Sequence, residues 1–96
     1  MQLDPADASA HYDLARVLLE AGRLDEAISQ LRASLQLMPG SFEAHNNLGI
    51  ALGQQGKLDQ AIDQFQQALE LQPTFEDARR NLATARETLR RLERAR

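Results

Sequence analysis

Apolar and small residues recur along most of the chain at intervals of three and four, interrupted at regular places by glycine and proline. Ala10, Leu14, Val17, Leu18 and Ala21 mark one side of a helix over about 8–21. Leu24, Ala27, Ile28, Leu31 and Leu35 mark one side of a second helix over about 24–37. Gly22 stands between them, where the chain needs a left-handed residue to leave the first helix, and Pro39-Gly40 stops the second. The same scheme returns 34 residues later. Ala10, His11, Leu14, Leu18, Gly22, Leu24, Asp25, Ala27, Ile28, Gln30, Leu35, Leu37 and Pro39 are all met by the same residue at the shifted position. The matches are mostly apolar or turn-forming, so what repeats is a packing scheme. A helix-turn-helix with a period of 34 predicts an all-α solenoid, in which each repeat buries its apolar side against its neighbour.

The boundaries follow from capping chemistry. Asp7 and Ser41 stand where a side-chain oxygen can accept the unpaired N–H groups of a first turn, and Thr74 is expected to do the same for the last helix. Asp25 and Glu26 suit the positive end of the second helix. Small residues recur where two helices must approach: Ala15 and Gly49 in the first helix of each pair, Ala27 and Ala61 in the second. Ala78, Asn81 and Leu82 open the last segment as Ala44, Asn47 and Leu48 open the second repeat, but Arg90 takes the place of the turn glycine. One long helix over about 75–95 is therefore predicted, with acids at its start and arginines near its end, as the helix dipole favours. The expected architecture is five helices in one domain. Residues 8–41 and 42–75 form two repeats, 76–96 a capping helix, and 1–7 the tail of a preceding repeat, because Leu3-Asp4-Pro5 precedes Leu37-Met38-Pro39 by 34. On that reading the segment is part of a longer protein.

The net charge of -3 conceals an asymmetry: residues 1–78 carry 12 acids and 4 bases, and residues 79–96 carry 7 arginines and 2 glutamates. The acidic body argues against nucleic acid, which needs a positive field facing the phosphates, and the basic tail lacks the lysines and aromatic residues of a nucleic-acid or acidic-lipid surface. No cysteine is present and no apolar run reaches the length of a membrane span. A cytoplasmic setting is the default expectation. No nucleophile has a base at useful spacing and no glycine-rich phosphate loop occurs, so neither catalytic residues nor a cofactor is expected. Asp4, Asp7 and His11 have the residue types of a metal site, but His11 shares its place with His45 in the packing seam, and no metal is expected.

Leu48-Gly49, Ala51, Gly56, Ala61, Phe65, Ala68, Leu69 and Pro73, half repeated as Leu14-Ala15, Gly22, Ala27, Leu31, Leu35 and Pro39, resemble the tetratricopeptide repeat. The departures are His11 and His45 in place of tryptophan, Leu18 and Leu52 in place of tyrosine, and Ser34 in place of a small apolar residue, which is expected to loosen the first unit slightly. The resemblance implies a right-handed superhelix with the first helix of each pair lining a concave groove. It also implies a non-catalytic module that binds peptides or other proteins there.

Helical geometry points to the same groove. Ser9, Asp13, Arg16 and Glu20 fall on one line of the first helix; Glu43, Asn47, Ile50 and Gln54 on the corresponding line of the third; Asp77, Asn81, Thr84 and Thr88 on that of the fifth. Tyr12, Asn46 and Arg80 lie beside these lines. The candidate binding residues are Tyr12, Asp13, Arg16, Glu20, Asn46, Asn47, Ile50, Gln54, Asp77, Arg80, Asn81 and Thr84. Asn47 and Asn81 can each donate to and accept from the backbone of an extended peptide, and Asp13 breaks that ladder in the first unit. Tyr12, Arg16, Asp77 and Asn81 stand where domains of this kind that bind chaperone tails carry four of their carboxylate-clamp groups, which leaves only Asn47 in agreement. The expected partner is a protein or peptide other than such a tail. Two alternatives remain open: a self-assembling scaffold that uses Ala10, Leu14 and Val17 together with the terminal helix, and an interaction segment of a larger enzyme. In the terminal helix the stripe Ala78, Leu82, Ala85, Leu89 and Leu92 would serve such assembly, with Glu87 and Arg91 placed to pair.

Overall fold

In the computed structural model, residues 6–96 are described. They form α1 (Ala8–Glu20), α2 (Leu24–Leu37), α3 (Phe42–Gln54), α4 (Leu58–Leu71) and α5 (Glu76–Arg94), with no strand among them. The reading of Leu3-Asp4-Pro5 as the tail of an earlier repeat lies outside the described residues, as does Asp4 itself.

Consecutive helices pack as neighbours, α1 on α2, α2 on α3, α3 on α4 and α4 on α5. In addition α1 touches α3 and α3 touches α5, whereas α2 and α4 do not meet. The stack is thus tighter along its first helices than along its second ones, which makes α1, α3 and α5 the inner wall. Dimensions of 47 × 27 × 17 Å leave room for less than two helix diameters across the thinnest direction. The apolar residues accordingly form a seam between helices, including Leu31, Leu48, Leu52, Ala61, Phe65 and Leu82.

Both turns within the hairpins have the same construction. Gly22 and Gly56 adopt φ of 76° and 82°. In the first turn Arg23 N–H reaches Leu18 C=O at 2.9 Å and Gly22 N–H reaches Leu19 C=O at 3.1 Å; in the second, Lys57 and Gly56 bond Leu52 and Gly53 in the same way. Two carbonyls at each helix end are thereby satisfied, and the left-handed residue this requires costs glycine nothing. Asp7 and Ser41 cap α1 and α3 through Ala10 N–H at 3.0 Å and Ala44 N–H at 3.2 Å. Thr74 does not cap α5. The cap position is Phe75, which has no side-chain cap bond. Its ring packs edge-on against Phe42 with centroids 5.0 Å apart. Apolar contact between successive repeats has replaced a polar cap there.

Two further expectations change. Ser34 is 2% exposed, and its hydroxyl donates to the Ala8 carbonyl at 2.9 Å, so it ties α2 to the start of α1 instead of loosening the unit. Leu14 is half-buried and Val17 is 63% exposed, whereas Leu48 is 2% exposed and Ala51, the counterpart of Val17, is fully covered. Leu48 and Ala51 belong to α3, which has α2 beside it; no described helix stands in that position next to α1. The unlike surroundings of Leu14 and Leu48 follow from this difference in described neighbours. At the other end α5 runs on as expected, with Glu87 bonded to both Arg90 and Arg91, and Leu92 exposed.

The close approach of α3 and α4 depends on Gly49. A Cβ at this position would lie 2.5 Å from the Phe65 ring, inside any tolerable contact. In the first repeat the same two positions hold Ala15 and Leu31, both buried. Space given up by one partner is taken by the other. Gly49→Ala is expected to destabilise the fold by about 1–3 kcal/mol through overpacking, read as a lower urea midpoint. Adding Phe65→Leu, which recreates the pair of the first repeat, should recover most of the loss; a double variant no more stable than Gly49→Ala would refute the size exchange.

Candidate functional site

The inner wall is built by residues four and three apart on α1, α3 and α5, which helical geometry aligns along one side of each helix. Asp13, Arg16 and Glu20 on α1, Gln54 on α3, and Asp77, Arg80 and Thr84 on α5 are exposed; Tyr12, Asn47, Ile50 and Asn81 are half-buried. Asn46 departs from the expected pattern, being only 5% exposed.

Its burial has a clear cause. Asn81 Nδ2 donates to Asn46 Oδ1 at 3.0 Å, and one repeat earlier Asn47 Nδ2 donates to the Tyr12 hydroxyl at 3.2 Å. These are the same link 34 residues apart. In each, an amide on one first helix reaches the preceding residue position on the first helix before it. Asn47 and Asn81 are therefore structural on one side: one N–H of each fastens repeat to repeat. An asparagine amide has two N–H donors and one acceptor oxygen, so a donor and an acceptor on each remain for something lying on the wall. The sequence pattern located both residues but did not disclose the link, because Tyr12 and Asn46 share a position without sharing a residue type.

The charged groups divide into two sets. Arg80 pairs with Asp77 at 2.5 Å, and the Arg16 guanidinium lies 6.0 Å from the centre of the Tyr12 ring, within the range of a cation–π contact. Asp13, Glu20 and Glu43 have no ion-pair partner among the described residues. Arg16 also has no ion-pair partner among the described residues and keeps its charge over the Tyr12 ring, so on α1 the wall carries two free carboxylates with one guanidinium between them.

Among the concavities that border the wall, two lie between α3 and α5. One is polar and is bordered by Asn46, Asn47, Ile50, Asp77, Arg80 and Asn81. The other, a cleft of about 250 Å³ between α3, the start of α4 and α5, has Phe65 and Leu58 beneath it, Ile50 and Ala85 beside it, and the bare backbone of Gly49 and Gly53 at one edge. Sequence reasoning missed this second cleft. The available signal was Gly53, which stands where the first repeat has Leu19.

The histidines hold the seam, as their shared position suggested. His11 Nδ1 lies 2.6 Å from Gln30 Oε1, and His45 Nδ1 2.8 Å from Gln64 Oε1, with His45 Nε2 3.1 Å from the Pro39 carbonyl. No group of three or more metal-ligating side chains gathers among the described residues. No helix among them is long and apolar enough to cross a membrane.

Comparison with known proteins places this arrangement. The family model of the tetratricopeptide repeat matches residues 7–74. Among solved structures, the first tetratricopeptide domain of Spaghetti (RPAP3), bound to the HSP90 peptide SRMEEVD, superposes with a TM-score of 0.87 at 22% identity, over 90% of this chain and 68% of that one. MamA superposes with a TM-score of 0.86 at 26% identity, over 90% of this chain and 50% of its own. A point mutant of MamA gives 0.80 at 30% identity, over 92% and 64%. Curated proteins gave no match.

The link between repeats can be measured by a double-mutant cycle on Tyr12→Phe and Asn47→Ala. A coupling of about 0.5–1.5 kcal/mol is expected from urea unfolding, the range of one net hydrogen bond. Strict additivity would mean that the bond does not hold the repeats together.

Proposed function

We propose that this chain, which belongs to the tetratricopeptide repeat family, acts as a protein-interaction module that takes an extended segment of a partner along the wall formed by α1, α3 and α5. The observation that carries this reading is the half-used pair Asn47 and Asn81. Each keeps a donor and an acceptor beyond the bond that holds it in place, and the two stand at equivalent positions on adjacent helices. An extended backbone presents N–H and C=O groups in alternation, which is what such amides can meet. Being fastened to the preceding repeat, the amides are already oriented and lose less freedom on binding.

The chemistry of the wall favours a partner other than an acidic tail. The domain of Spaghetti (RPAP3) was solved with the peptide SRMEEVD, which carries several carboxylates. Here three carboxylates without an ion-pair partner among the described residues, Asp13, Glu20 and Glu43, outnumber the one arginine that keeps its charge, Arg16 over the Tyr12 ring, while Arg80 is paired with Asp77. Asn47→Ala combined with Arg80→Ala is expected to weaken partner capture from cell extract while the helical circular dichroism is kept. Loss of the Tyr12 bond should lower the melting temperature by about 4–8 °C, as for roughly 1 kcal/mol in a domain of this size. Undiminished capture by the folded double variant would count against the wall.

A second reading, self-association through the open side of α1, is favoured by Val17, which is 63% exposed where its counterpart Ala51 is fully covered. Sedimentation should then give a mass that rises with concentration for the wild type and stays monomeric for Val17→Asp. A wild-type monomer at every concentration would dismiss it.

A further inference from the structure

The apolar cleft beside Gly53 is local to the second repeat. Positions 19 and 53 are equivalent, and Leu19 lays its side chain against the buried seam of the first hairpin. Gly53 supplies no side chain, and the nearest atom a Cβ there would meet is the Ala61 methyl at 3.7 Å, an ordinary contact. Nothing steric demands a glycine at this point, in contrast to Gly49. The open space is thus the place of a missing leucine side chain, with the Phe65 ring beneath it.

The surroundings define what would enter. No charged residue borders the cleft. Thr88 commits its hydroxyl to the Thr84 carbonyl of its own helix at 2.9 Å, so it offers a guest no donor. Glu20 is the counterpart of Gln54 one repeat earlier, and both Glu20 and Asp13 lack an ion-pair partner among the described residues. Toward α1 the cleft is therefore continued by two carboxylates with Arg16 between them, a net negative charge.

We propose that this cleft is the anchor site of the wall. It takes a leucine side chain from an extended partner segment whose neighbouring basic residue lies over Glu20. The inference rests on the peptide-binding reading above and adds to it the chemistry of the partner. Apolar burial against Phe65 supplies affinity; the carboxylates favour a basic over an acidic flank; and Asn47 and Asn81 hold the backbone between them.

The test is selection of short displayed random peptides on the wild-type chain, followed by measurement of each binder on four variants. Gly53→Leu installs the residue of the first repeat and fills the cleft; Thr84→Phe, at an exposed position on the opposite side, obstructs it and serves as the second arm should Gly53→Leu lose helicity. Glu20→Gln tests the charge, and Asn47→Ala with Arg80→Ala tests the wall. Selected peptides are expected to share a leucine with a lysine or arginine on one side, to bind about ten- to hundredfold more weakly to the two filled variants, and to lose a few-fold, salt-dependent part of their affinity with Glu20→Gln. Binders that need Asn47 and Arg80 but bind Gly53→Leu and Thr84→Phe as tightly as wild type would overturn the anchor site and leave the wall standing. Binders insensitive to all four variants, or no binders, would overturn both. Acidic consensus peptides would likewise overturn the proposal.

Discussion

One hairpin cannot hide its own apolar residues, and the structure depends on the cover that α2 gives to α3 and α4 gives to α5. Leu48 and Ala51 are sheltered because a second helix stands beside them; Leu14 and Val17, at the same positions of α1, have no such neighbour among the described residues and are half-buried or exposed. The contrast measures what stacking contributes, since sequence and local turn are alike in the two hairpins. Stability in such an array comes from the interface between units as much as from the units themselves.

That dependence explains why small changes at matched positions come in compensating pairs. Ala15 with Leu31 and Gly49 with Phe65 fill the same space in different ways, because close-packed interiors register the gain or loss of a single methyl group. Position 53 has no such compensation. Loss of the Leu19 side chain is not made good by a larger neighbour, and a cleft opens on the inner wall. Within one chain, the repeat that packs conventionally acts as an internal control for the one that does not.

Helix number, turn positions and the direction of packing were legible in the sequence because glycine, proline and apolar spacing each have one dominant physical meaning. The capping of α5 was not. Thr74 has the right chemistry, but the apolar attraction between Phe75 and Phe42 is a contact across 33 positions that no local rule weighs. Ser34 was misread for a related reason. A hydroxyl in a seam looks like a defect until the carbonyl of Ala8, 26 residues away, is seen to accept from it. Spacing alone put the candidate residues on α1, α3 and α5, yet spacing could not tell Asn46, sealed under Asn81, from Arg80, which reaches solvent. Burial depends on what the next repeat lays on top.

Asn47 and Asn81 show how a side chain on the inner wall can be held rigid without being exhausted. A side chain wholly spent on structure has nothing to offer a partner, and one wholly free must be ordered by the partner at an entropic cost. An amide that fastens one helix to the next with a single N–H avoids both, since its remaining donor and acceptor are fixed in direction by the fold. On the proposed reading the acidic body would add discrimination to this scaffold, because a net negative charge near α1 disfavours acidic segments. Adhesion between repeats and recognition of a partner are, on that reading, two uses of the same side chains, so a substitution at Asn47 would act on both, whereas Gly53 makes no side-chain bond across the stack.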